Sequence, residues 1–278
     1  MKLSPDQLAN AIRDRDDLPL TSAQVFDQAE YFYPGTWKAK WPTGVPMPAV
    51  LTAVEDGSRN RQDVTRRHVF DASENVNSEA DALNLYVIMC GWGAGPQGQT
   101  GYRCRLPLDQ PDVGAKLLRT HQAIRGGADP VEVYRSLATG ENRIKYFGPA
   151  FFTKWLYFSG YDTPTTQRKP LILDSRVAAS LGWASWGWSP ELYGQYLELA
   201  AEIAAKLDEA ETHVVEHALY ALNGDLIPAR TESDLKTIVV SDIPEEVYEL
   251  LTTQAESKAL RVEEYTLELL QQAAEGQP

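Results

Sequence analysis

The chain has 278 residues with 26 basic and 39 acidic side chains, a formal net charge of −13, and two cysteines. That length supports one large or two modest packed domains, and two cysteines exclude a disulfide framework or a zinc-finger pattern. No apolar run reaches the roughly 18 residues of a membrane helix, and residues 1–5 do not read as a secretion signal, so a cytoplasmic protein off the membrane is expected.

Net acidity weighs against a nucleic-acid partner, but its distribution is uneven. Residues 191–278 hold 19 acidic and 5 basic side chains, which leaves the first 190 residues near neutrality. Within 141–176, Arg143, Lys145, Lys154, Arg168, Lys169 and Arg176 outnumber Glu141, Asp162 and Asp174.

In chain order, residues 4–31 read as helical, with Ser4 capping before Pro5 and Leu8, Ile12, Val25 and Phe26 as apolar positions. Residues 32–50, rich in Pro, Gly, Trp and Tyr, read as an ordered loop. Residues 59–67 read as a loop or helix start. The apolar density of 80–90 predicts a buried helix. Residues 91–105 carry five glycines in eleven positions and read as a loop able to approach something closely. No Lys-Ser/Thr follows, which argues against a phosphate cradle for a nucleotide. Residues 113–125 and 130–137 are predicted helices.

The stretch 144–181 organises the rest. Gly148 and Pro149 open a helix, and 150–158 is apolar almost all round, as a core helix is. A polar loop leads to an apolar run, 171–173, which ends in Asp174. A new helical pattern then runs through Leu181, so Asp174 is placed to cap it. Trp183, Trp186 and Trp188 fit packing better than base stacking. Residues 190–222 form one or two helices in which Glu216 and Tyr220 share a face. After a linker at 223–235, residues 236–241 form a β-branched strand. One helix follows with Val247, Leu250, Leu251 and Ala255 on a face, then another with Val262, Tyr265, Leu267, Leu269 and Leu270. A single strand cannot pair by itself, so this module expects a second chain.

The run Phe-Gly-Pro-Ala-Phe-Phe-Thr-Lys at 147–154 and Leu-Ile-Leu-Asp-Ser-Arg-Val at 171–177 resemble the helix-hairpin-helix DNA glycosylases. The nearest branch is the bacterial 8-oxoguanine DNA glycosylase-like one, which includes antiphage enzymes. Two departures are Tyr146, where the hairpin's first glycine is usual, and a longer loop before Asp174. The resemblance implies a mainly α protein: a helix-hairpin-helix glycosylase domain at 1–229, followed by a small ribbon-helix-helix at 236–275 that makes a homodimer.

It also implies roles. Asp174 would stabilise the oxocarbenium-like sugar of N-glycosidic cleavage. The lysine slot of bifunctional relatives falls on Ala150, so a monofunctional enzyme leaving an abasic site is expected, with Lys154 a further catalytic candidate. Lys145, Phe147, Gly148 and Ala150 would hold the DNA backbone. Phe151, Phe152, Glu216 and Tyr220 would line the base pocket, with Glu216 where Gln is usual. Trp92, Gln97, Gln99 and Arg103 would be wedge or strand contacts. No metal or cofactor is implied. The partner would be double-stranded DNA carrying a modified base, either an oxidised purine or a modified cytosine of phage DNA. The competing reading is a non-catalytic DNA-binding regulatory dimer, and Asp174 is the feature against it.

Overall fold

Reciprocal capping starts four of the helices. Ser4 with Gln7, Thr21 with Gln24, Thr65 with His68 and Ser78 with Asp81 each satisfy two otherwise unpaired N–H groups. A computed structural model describes residues 3–15, 18, 21–95, 98–164, 168–208, 210–225, 245–257, 260 and 262–274. The elements run α1 (Pro5–Arg13), α2 (Ser22–Phe26), β1 (Ala29–Phe32), α3 (Pro34–Lys38), α4 (Ala49–Thr52), β2 (Gln62–Thr65), α5 (Arg66–Ser73), α6 (Glu79–Ala94) and α7 (Gly98–Arg105). A 3-10 turn (Leu106–Asp109) leads to α8 (Val113–Arg125), α9 (Pro130–Ala138), α10 (Pro149–Gly160), α11 (Ser175–Ser180), α12 (Pro190–Lys206) and α13 (Thr212–Leu222). The chain is mainly helical, as expected, and no described helix is long and apolar enough to cross a membrane.

The first third departs from the sequence reading. Residues 4–31 hold two helices and a strand rather than helix alone; in the stretch read as a loop or helix start, residues 62–65 are a strand and a helix does start, at Arg66. β1 and β2 pair antiparallel, with Ala29 opposite Thr65 and Phe32 opposite Gln62. Non-local pairing of two four-residue strands leaves little periodicity to read. The short helices α3 and α4 likewise interrupt the expected loop at 32–50.

The glycine-rich stretch is also corrected. α6 runs on to Ala94, and α7 begins at Gly98, so most of the expected loop is helix. Gly91 and Gly93 thin one side of α6. A Cβ at Gly91 would meet the Phe32 ring at 2.7 Å, and one at Gly93 would meet Lys154 Cδ at 2.9 Å. Gly95 ends the helix with φ 58°.

α10 is the buried spine, with every residue from Phe152 to Gly160 inside. It packs against α5, α6, α8 and α9. The extended segment 171–173 is buried without joining a sheet, so its peptide groups need other partners. Hydroxyls supply them. Tyr193 accepts the Leu171 N–H at 3.2 Å and donates to the Leu171 carbonyl at 2.9 Å. Tyr196 donates to the Ile172 carbonyl at 2.9 Å. Thr153 accepts the Leu173 N–H at 3.1 Å while donating to the Pro149 carbonyl at 2.7 Å. Two helices, α10 and α12, thereby fix where Asp174 begins.

The chain divides into two compact units, Met1–Ile227 and Pro228–Pro278. In the second, α14 (Glu245–Ser257) and α15 (Val262–Ala274) pack on each other, burying Ala255 and Tyr265. Val247, Leu250, Leu267, Leu269 and Leu270 stay exposed. The strand expected at 236–241 lies outside the described residues.

Candidate active site

Asp174 divides its two oxygens between a helix cap and an ammonium. Oδ1 accepts the N–H groups of Arg176 at 3.1 Å and Val177 at 3.2 Å, capping α11. Oδ2 faces the Lys154 ammonium at 3.3 Å. Lys154 leaves α10 and turns back one helical turn, where its Nζ donates to the Ala150 carbonyl at 2.9 Å. The pair is largely enclosed, with side chains 8 % and 14 % exposed. The stem of Lys154 has room because Gly93 lacks a side chain.

The pair opens on a cavity of about 420 Å³ that Asp174, Lys154, Arg66, Glu216, Trp92, Tyr220 and Arg176 help to line. Gln28 and Glu30 reach in from the β1 side, and Gly93 to Gly95 from the end of α6. Arg66, at the start of α5, meets Glu216 of α13 through bonds of 2.6 and 3.3 Å, both side chains buried. Its Nε donates to Gln28 at 2.7 Å, and its guanidinium lies 5.0 Å from the Trp92 ring and 5.2 Å from the Tyr157 ring. Burial raises the Glu216 carboxyl above its usual range against the pull of Arg66. Burial also works against the Arg66 charge, but Glu216 and Tyr157 together outweigh it and Arg66 is raised. The short bidentate geometry is that of an ion pair.

The expected base-pocket residues divide. Glu216 and Tyr220 line the cavity. Phe152 does not: it is core, edge-on to Tyr134 at 4.7 Å. Phe151 is half-buried, its ring 5.5 Å from the Lys154 ammonium, and is not in the lining. Glu216 offers less than the sequence suggested, since Arg66 takes both of its oxygens. Tyr220 has the Arg176 guanidinium stacked over its ring at 4.1 Å. The Arg176 Nε is buried with no hydrogen-bond partner among the described residues.

The wedge candidates divide as well. Trp92 does not protrude: it is buried in α6, its Nε1 donating to the Gln28 carbonyl at 3.2 Å, and forms cavity wall. Arg103 is exposed on α7. Gln97 and the side chain of Gln99 lie outside the described residues.

At the hairpin, Tyr146 takes the left-handed conformation, φ 67°, so the missing glycine is replaced by a strained tyrosine. Lys145 is exposed, and its ammonium lies 4.8 Å from the Tyr146 ring. Phe147 is buried, and its N–H is taken by the Ile144 carbonyl at 3.2 Å. Gly148 precedes α10 with no side-chain cap, and a Cβ there would meet nothing within 4 Å.

Sequence reading missed Arg66, Gln28, Glu30 and Arg176 as cavity residues. Arg66 sits in a stretch read as a loop or helix start, and it is indeed the first residue of α5, but nothing local marked it as a cavity residue. Gln28 and Glu30 border a strand that local pattern did not reveal.

A family model described as "Putative 8-oxoguanine DNA glycosylase OGG-like protein" matches residues 23–220. No curated protein and no solved structure matches.

Proposed function

We propose, from the premise that this chain belongs to the OGG-like DNA glycosylase family, that it excises a modified base from double-stranded DNA. The observation that carries the reading is the enclosed Lys154–Asp174 pair opening on a base-sized cavity. An extruded nucleotide would place its base in the cavity and its sugar beside the pair. As the C1′–N bond breaks, its electrons leave with the base, and Asp174 Oδ2 faces the positive charge developing on the sugar. The uncapped start of α10 would hold a backbone phosphate through the N–H groups of Gly148 and Ala150.

The expectation of a monofunctional enzyme rested on Ala150 filling the lysine slot. Lys154, one helical turn later, folds back to the Ala150 carbonyl and lies 3.3 Å from Asp174. That favours Lys154 as nucleophile. With its proton passing to the departing base, the Lys154 Nζ would bond C1′ in place of that base; the C1′–O4′ bond would then open, O4′ taking a second proton from the nitrogen, to leave a Schiff base. The enclosed amine–carboxylate pair also argues against the non-catalytic dimer, which needs no such arrangement.

Oxidised purine is the base class the family description points to, with a modified cytosine of phage DNA as the second arm of the test. The units 1–229 and 236–275 are read as catalytic and dimerising. The exposed apolar residues of α14 and α15 support a second copy as their cover. The deciding experiment incubates the protein with duplexes carrying oxidised purines or modified cytosines, with and without borohydride. Release of free base with a trapped adduct is expected. No base released from any duplex would sink the enzymatic reading.

A further inference from the structure

We propose that Gln110, outside the cavity and 35 residues before the hairpin, is a positioning residue that sets the hairpin's DNA-holding conformation. This rests on the hairpin holding DNA, as proposed for the start of α10. The side-chain amide of Gln110 forms a two-point ring with one residue of the hairpin. Its Nε2 donates to the Lys145 carbonyl at 3.1 Å, and its Oε1 accepts the Lys145 N–H at 3.1 Å. It reproduces the pairing of a neighbouring strand where no strand exists. A second acceptor, the Pro107 carbonyl at 3.3 Å, holds the amide in plane from the turn that precedes it.

The ring matters because the next residue in the chain is strained. Tyr146 is left-handed, a conformation that is strained for a residue with a side chain. Something must hold the chain there. On the far side Phe147 is anchored in the core, 5.4 Å from Tyr86 and 6.2 Å from Phe152. Upstream, Lys116 donates to the Arg143 carbonyl at 2.9 Å and Arg119 to Asn142 at 3.1 Å. Gln110 closes the gap between these anchors at residue 145. It does so immediately before the strained residue and three residues before Gly148. Without it, Lys145 and Tyr146 are free to relax, and the N–H groups at the start of α10 lose their presentation.

The test measures binding of the full-length protein to a duplex carrying a tetrahydrofuran abasic analogue, which requires no excision. Wild type, Gln110→Ala, Tyr146→Gly and the double variant are compared, together with amide exchange at Lys145. Gln110→Ala should speed Lys145 exchange and weaken binding about tenfold, as loss of two hydrogen bonds and a held conformation implies. Glycine adopts the left-handed turn without strain, so in the Tyr146→Gly background the same change should cost about threefold or less. An equal loss in both backgrounds would make Gln110 a general stabiliser and overturn the proposal. So would faster Lys145 exchange with unchanged affinity. If wild type fails to bind the abasic duplex, the hairpin reading itself falls, and this one with it.

Discussion

Arg66 and Glu216 meet through two bonds, with a third from Arg66 to Gln28, and both side chains are 1 % exposed. Lys154 and Asp174 line the same cavity but meet through one bond of 3.3 Å; the ammonium gives one further bond, to the Ala150 carbonyl, and Asp174 uses only Oδ1 on backbone groups. The first pair is saturated, and moving either charge would leave the other buried and alone. The second keeps one amine and one carboxylate oxygen facing each other and the cavity. A charge that must act on a sugar cannot be fully consumed by its neighbour. If the second pair acts on the sugar as proposed, rigidity is supplied by one pair and reactivity by the other.

The comparison breaks most directly at Asp174. Asp174→Asn keeps an oxygen to cap α11 but removes the charge beneath the sugar, and base release should fall on the order of a thousandfold or more. Near-wild-type single-turnover rates would show that the looser pair is not the reactive one. For the saturated pair the expected loss is in stability. Glu216→Gln leaves Arg66 buried without a counter-charge, which should cost about 3 kcal/mol or more and lower the melting temperature by roughly 6 °C or more. An unchanged melting temperature would mean that Arg66 finds other compensation.

Lys154→Ala separates the amine from the carboxylate. The borohydride adduct should vanish and release slow on the order of a hundredfold, since Asp174 remains to stabilise the sugar. An adduct that survives would place the nucleophile elsewhere. Acid tests two buried imidazoles, of which His213 feels the Arg66 charge. Burial, with Arg66 adding, holds the His213 imidazole at about 3, and burial, with Arg125 adding, holds His121 at about 4. Both lie below the ordinary value of 6.5, so as pH falls through 6.5 the unfolded chain takes protons that the native state refuses. Stability contributed by the two neutral rings is complete above 6.5 and is lost on descent towards 4. By pH 5 it should have fallen by up to about 2 kcal/mol for each ring, read as a declining melting temperature. A melting temperature flat between pH 7 and 5 would contradict both assignments.

What could be read beforehand depended on how local each signal was. Asp174 as a helix cap after an apolar run is a seven-residue pattern, and the structure places it as read. The Lys154–Asp174 pairing was half legible: both residues were named, but the lysine slot was assigned to Ala150 by spacing from the hairpin glycine. The helical turn that brings Lys154 back to the Ala150 carbonyl is a side-chain path, which spacing does not encode. Arg66 and Glu216 stand 150 residues apart, and no local pattern pairs them. The glycines of 91–95 misled only about the backbone: the close approach they suggested is there, with Phe32 and Lys154 filling the space beside Gly91 and Gly93, but a helix makes it rather than a loop.

The smallest expected effect tests whether either pair depends on the second unit. All four partners lie before residue 227, as do the hairpin and the hydroxyls that hold 171–173. The second unit exposes Leu250 at 59 % and Leu267 at 52 %, more apolar surface than a solvated helix pair needs, and is expected to dimerise. Truncation after Ala229 should therefore turn a dimer into a monomer in light scattering while base release on short duplexes falls less than about tenfold. The acidic helices, with Glu245, Glu246 and Glu249 in α14, have little to offer a phosphate backbone. A monomeric full-length protein would remove the dimer. Loss of activity on truncation would show that the loosely held pair borrows its geometry from the tail, and the division of labour between the two pairs would then have to include a third contributor.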